Sequence, residues 1–288
     1  MKFIDRFIKN HRLSDDFRGV AEKHFIPLAK MIMQQPSRCS QPLFVGINGC
    51  QGSGKSTLAA FIAHYLTLHY NVKVVTLSLD DFYLNQQSRK QLAQTIHPLL
   101  KTRGVPGTHN TEQLAQVLHS LKCNHGKVSL PRFSKITDNP SKAEFAELPV
   151  EIVLMEGWCW GVEGQSASQL IKPCNSMEIN DDKERVWREY VNQQLTINYQ
   201  PLYEMMNYWL FLQAPSFDCV YQWRWQQEQS LIEKNNGVIT DDMMSAEQVQ
   251  QFSLLFQRLT EHALVTMENK ANVVVCLDKL RKVIEVKY

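Results

Sequence analysis

The chain has 288 residues, 44% of them hydrophobic, and a net charge of +2 from 31 Lys and Arg against 29 Asp and Glu. That is enough for one large domain or two small ones around a sizeable core. The near-balance of charge offers no basic field for nucleic acid, and no apolar run approaches a membrane span.

Seven Cys lie scattered without a C-x-x-C pair, which points to reduced thiols. The opening MKFIDRFIKNHRLSDD is broken by charges and carries no signal-peptide core, so a cytoplasmic location is expected.

Residues 1–40 read as a helical extension. Phe17, Val20, Ala21, Phe25, Leu28 and Met31 recur at helical spacing, and Pro36 marks the end. The stretch 41–288 reads as one domain, with insertions at about 84–145 and 217–245. Leu43 to Ile47 is a short apolar run suited to a buried strand. Lys55 to Tyr70 has the apolar spacing of a helix.

Between them lies Gly49-Cys50-Gln51-Gly52-Ser53-Gly54-Lys55-Ser56, the phosphate-loop pattern G-x-x-x-x-G-K-[ST] with every fixed position filled. The glycines allow backbone angles that side chains resist, so that successive N–H groups from Gly49 to Thr57 can turn toward a phosphate at a helix N-terminus. Lys55 would reach the β- and γ-phosphates, and the Ser56 hydroxyl would hold Mg²⁺. Cys50 contributes backbone rather than a nucleophile.

Lys73 to Leu79 reads as a second strand, ending in Asp80-Asp81-Phe82-Tyr83. Helix follows over Gln86–Lys101, then a loop through Arg103 and His109, then a helix capped by Thr111. Val128 to Phe133 reads as a short edge strand. Glu151 to Met155 is a third buried strand ending in Glu156-Gly157. Residues 161–182 read as a surface loop, and Glu184–Leu195 as helix. Tyr208–Leu212 is a fourth strand before Gln213-Ala214-Pro215. Two long helices, about Phe217–Lys234 and Ala246–Met267, flank a loop at Asn235–Asp242. Asn272–Leu277 is a fifth strand.

Strands alternating with helices predict an α/β fold: a five-stranded, mostly parallel sheet with helices on both faces. In such sheets ligands bind beyond the carboxyl ends of the strands. The phosphate loop, Asp80-Asp81 and Glu156 should therefore converge.

Phosphoryl transfer needs a phosphate cradle, a metal, charge neutralisation and a positioned acceptor oxygen. One of Asp80 and Asp81 can take or orient the acceptor's hydroxyl proton. Glu156 can bind a water of Mg²⁺. Arg103, His109, Arg132 and Lys135 can contact an anionic or polyhydroxyl acceptor, the arginines by bidentate hydrogen bonds. Arg224, on a helix, can swing onto the triphosphate.

The ordered set Gly49–Ser56, Ser78-Leu79-Asp80-Asp81-Phe82-Tyr83, Arg103-Gly104-x-Pro106-Gly107-Thr108-His109, Leu130-Pro131-Arg132-Phe133, Glu156-Gly157-Trp158 and Leu212-Gln213-Ala214-Pro215 resembles the D-glycerate 3-kinase family. That family stands within the uridine kinase, phosphoribulokinase and pantothenate kinase group of P-loop NTPase folds. The resemblance runs from about residue 40 to 280.

It implies an ATP- and Mg²⁺-dependent kinase of a small hydroxylated metabolite, with glycerate or a similar hydroxy-acid as acceptor. It implies Asp80 as the base, assisted by Lys55, Glu156 and Arg224. Ser56, Asp80 and Glu156 would serve the metal, and Asp81, Tyr83, Arg103, His109 and Arg132 the acceptor. The chain departs from the family at Asn110 and Ser134, where Asp is frequent; both changes remove a charge on the acceptor side.

A nucleoside or pantothenate-like acceptor is the alternative, and a nucleotide-hydrolysing switch a third reading. No guanine-reading N-K-x-D element is present. The expected partner is a small-molecule substrate, without nucleic acid or membrane, for a monomer or homodimer.

Overall fold

The structure, a computed structural model, describes residues 2–35, 41–234 and 244–288. Its centre is a six-stranded sheet. The strands are β1 (Leu43–Gly49), β2 (Val74–Ser78), β5 (Ile152–Gly157), β6 (Tyr208–Gln213), β7 (Val273–Leu277) and β8 (Val283–Lys287), in the order β2-β5-β1-β6-β7-β8. All neighbours pair in parallel except β7 with β8. The five expected strands are thus present. The sixth, β8, adds an antiparallel edge; Glu285 and Lys287 interrupt Val283, Ile284 and Val286, so no continuous apolar run announces it.

β1 and β5 are buried along their whole length, as strands covered on both faces must be. Alternate residues feed two cores. Phe44, Leu77, Val153 and Met155 face one, and Val45, Ile47, Leu154 and Leu210 the other. The helix Lys55–Tyr70 belongs to the second core, together with the N-terminal helices Lys2–His11 and Phe17–Val20, which continues through a π turn to Gln34. Phe7, Phe17 and Phe25 ring Phe61 with centroids 5.2 to 5.9 Å away, so this extension packs directly on the phosphate-loop helix.

A separate hairpin, β3 (Lys127–Ser134) with β4 (Asn139–Glu147), stands beside the end of β2. The expected edge strand at Val128–Phe133 therefore lies outside the main sheet.

Several boundaries differ from expectation for local reasons. The helix from Gln86 stops at Thr95, because Pro98 removes a donor and constrains His97; Pro98–Lys101 forms a separate 3-10 turn. Asn110, not Thr111, caps the next helix, its side chain accepting from Gln113 N. The stretch 161–182 contains short helices at Ala167–Ile171 and Ser176–Asn180. Pro36 and the loop Asn235–Asp242 lie outside the described residues.

Candidate active site

The site is assembled by register. β1 has β5 on one side and β6 on the other; Ile47 pairs with Glu156, and Ser78 at the end of β2 also pairs with Glu156. Three adjacent strand ends thereby bring together the phosphate loop, Glu156 and Asp80.

Within the loop, Gly52 has φ +78° and Gly54 φ +91°, both in the left-handed region that favours glycine. Gly54 then begins the helix, with Leu58 N donating to its carbonyl at 2.9 Å. Asn48 Oδ1, Gln51 Oε1 and Ser53 Oγ are buried without a hydrogen-bond partner. Such groups are costly unless a ligand or water meets them, and here they line the loop expected to hold phosphate. Burial pushes the Cys50 thiol up to about 12, so it is no nucleophile at neutral pH.

Glu156, 4% exposed, is the hub. Its Oε1 accepts from Ser56 Oγ at 2.7 Å and from Ser78 Oγ at 3.0 Å. Its Oε2 has no hydrogen bond and lies 3.9 Å from Lys55 Nζ. Among the described residues no cluster of three His, Cys, Asp or Glu could hold a metal by itself. A Mg²⁺ ion does not need one: it keeps several waters and takes one or two carboxylates plus substrate phosphates. The Ser56 hydroxyl and the unpartnered Glu156 oxygen fit that demand.

Asp80 and Asp81 diverge. Asp80 Oδ1 accepts from Tyr83 OH at 2.9 Å, and Oδ2 from Lys135 Nζ at 2.6 Å. Burial would raise its pKa, but the charges of Lys135 and Lys55 and these two hydrogen bonds outweigh burial and hold the carboxyl at about 2. Both oxygens of Asp80 are therefore engaged away from Glu156. Asp81 instead accepts from Arg132 at 3.1 Å and from Phe133 N at 3.2 Å, tying β3 to the end of β2. Burial raises its pKa.

The residues expected on the acceptor side split. His109 is buried, and its ring stacks on Tyr83 at 4.5 Å. Tyr199 OH lies 2.6 Å from His109 Nδ1 and itself accepts from Gly107 N. His109 Nε2 is buried without a partner. Burial drives the His109 pKa down to about 3.

Arg103 pairs with Asp138 and lies 5.8 Å over the Phe133 ring. Arg132 spans Asp81 and Glu144. Arg224 pairs with Glu228 one turn along the helix Asp218–Lys234. Its neighbour Trp223 abuts Gly52, which sets this helix against the phosphate loop. Asn110 and Ser134 have structural work: one caps a helix, and the other accepts from Thr137 N in the hairpin turn.

Ser78, Lys135 as partner of Asp80, and Tyr199 were not foreseen in these roles. The signal for Ser78 is its place two residues before Asp80 on a strand. Tyr199 reaches His109 across 90 residues, which no local pattern encodes.

On the other flank of β1, an open cleft of about 580 Å³ lies beyond β6 and β7, lined by Gln213, Ala214, Pro215, Leu277 and Asp278 among others.

The description "KAP family P-loop domain" matches residues 23–128. The uncharacterized kinase mug58 of Schizosaccharomyces pombe is 32% identical over 227 residues, 75% of this chain and 80% of that protein. The chloroplastic D-glycerate 3-kinase of Arabidopsis thaliana is 26% identical over 213 residues, 70% of this chain and 44% of that protein. The solved structure of D-glycerate 3-kinase from Cryptococcus neoformans var. grubii superposes with a TM-score of 0.74 at 24% identity, covering 95% of this chain and 99% of the other. That likeness carries the P-loop kinase fold. With its phosphate loop, Glu156 and Asp80 at three neighbouring strand ends, the chain belongs to the family of P-loop kinases that contains mug58 and resembles the D-glycerate 3-kinases.

Proposed function

We propose that this protein transfers the γ-phosphoryl group of ATP, with Mg²⁺, to a hydroxyl of a small hydroxy-acid of the D-glycerate class. The observation that carries the reading is the pair of carboxylates on adjacent strands. Glu156 is bound to the phosphate-loop Ser56, and Asp80 lies one strand further out, beyond the reach of that bond. A nucleotide-hydrolysing switch has no need of a second acid set apart from the phosphate loop on an acceptor side. The relatives' names support the acceptor class.

The chain's own groups account for the reaction. Backbone N–H groups from Gly49 to Thr57 hold the phosphates, and Lys55 moves from its 3.9 Å approach to Glu156 onto the β- and γ-oxygens. Ser56 and Glu156 would hold the cation, which when bound neutralises charge on the phosphates. Asp80 orients the acceptor hydroxyl in line and takes its proton as the bond to phosphorus forms. His109 and Tyr83 fix the acceptor's other oxygens. Arg224, on the helix that touches Gly52, offsets charge at the transferring group. The cleft beyond β6 and β7 suits the nucleobase.

The test offers purified protein ATP, Mg²⁺ and a panel of hydroxy-acids, nucleosides and pantothenate. ADP release that depends on a hydroxy-acid is the expected result. Acceptor-independent turnover, or turnover with a nucleoside alone, rejects the reading.

A further inference from the structure

Four basic residues stand around the acceptor side, and three are already spoken for. Arg103 is held by Asp138. Arg132 is held by Asp81 and Glu144. His109 is buried and neutral. Only Lys135 is paired with the acid assigned to the reaction, at 2.6 Å from Asp80 Oδ2.

The mounting of Lys135 differs from that of the others. It sits in the turn between β3 and β4, and that turn is fastened from below. Arg89, 2% exposed, donates to both Asp138 O and Asp138 Oδ2. Gln86 N donates to Asn139 Oδ1, and Gln86 Nε2 to Thr137 O. The Lys135 side chain itself is 62% exposed and that of Asp80 30%. The backbone is therefore fixed while the arm is free. The ammonium stays open to solvent, so it can exchange one carboxylate for another without being uncovered first. As it stands, the pair occupies the oxygen that must receive a hydroxyl.

We propose that Lys135 anchors the acceptor's carboxylate, and that it releases Asp80 to do so, so that arrival of the acid itself frees the base. A hydroxy-acid carries its carboxylate within two or three bonds of its hydroxyls. An acceptor whose hydroxyl lies on Asp80 thus presents its anion to the same ammonium. A neutral alcohol offers nothing to draw Lys135 away, and the base stays occupied. This inference rests on the hydroxy-acid reading above and adds the residue that enforces it.

The experiment compares D-glycerate with its uncharged amide at saturating ATP, using wild type, Lys135→Ala and Lys135→Arg; unchanged thermal unfolding midpoints verify folding. Lys135→Ala should raise KM for glycerate about 10–100-fold, the worth of a charged hydrogen bond, and the acid-over-amide preference in kcat/KM should collapse by a similar factor. Lys135→Arg should restore most of it. If wild type prefers the acid and Lys135→Ala keeps that preference, the inference falls and the acceptor class stands. If wild type uses the amide as well as the acid, the acceptor class itself fails, and this inference with it.

Discussion

Trp223 closes the space over Gly52: a Cβ added to that glycine would lie 2.6 Å from Trp223 Cβ. Trp223 is fully buried, and its indole N–H donates to Lys279 O at 2.8 Å. The phosphate loop, the helix bearing Arg224 and the turn after β7 are thus locked at one point. Gly52→Ala meets both this contact and the strain of φ +78°, about 1–3 kcal/mol for the backbone alone. Nucleotide affinity should fall about tenfold or more by titration calorimetry. Binding within twofold of wild type would show that the loop has room to adjust.

Glu156→Gln removes the charge beside Ser56 while keeping an oxygen for the two serine hydroxyls. The Mg²⁺ concentration needed for half-maximal rate should rise about 10–100-fold, with the fold unchanged by circular dichroism. An unaltered Mg²⁺ titration would exclude Glu156 from the metal's surroundings.

Asp80→Asn keeps a hydrogen-bond acceptor for Tyr83 but cannot take a proton. Turnover should fall roughly 10²–10⁴-fold with ATP affinity nearly kept. Near-wild-type turnover would reject Asp80 as the base.

His109 gives stability a pH dependence. Its folded pKa is lowered from 6.5 to about 3, so between those values the unfolded chain binds a proton that the native protein excludes. Its share of stability is complete above pH 6.5 and drains as pH falls, at up to about 1.4 kcal/mol per pH unit. Asp80, lowered from 3.8 to about 2, acts only in the window below, losing its share as pH falls through 2. Urea denaturation between pH 7 and 5 should show stability declining toward acid, with a shallower slope in His109→Gln. Equal slopes in the two proteins would contradict the burial of a neutral imidazole.

The parts of this molecule that follow local chemistry could be read from the residues. The phosphate loop announces itself because two glycines, a lysine and a serine must stand at fixed spacing. The buried strands do so because both their faces are covered. The meeting of Asp80, Glu156 and the phosphate loop was legible because parallel strands bring their carboxyl ends to one edge. Partnerships were not legible. The pairing of Arg103 with Asp138 and of Arg132 with Asp81 could not be read, because each forms only when the hairpin folds against the end of β2. Tyr199 and His109 meet through two different helical and loop segments, and β8 hides because Glu285 and Lys287 break up its apolar residues.

The order β2-β5-β1-β6-β7-β8 has a kinetic consequence. Asp80 lies on one flank of the phosphate loop and the open cleft on the other, so on the proposed assignment of acceptor and nucleobase the two reactants come in by separate doors. On the proposed reading the phosphoryl group passes straight from ATP to the acceptor hydroxyl with both reactants bound. Double-reciprocal plots of initial rate should then form intersecting lines, never parallel ones.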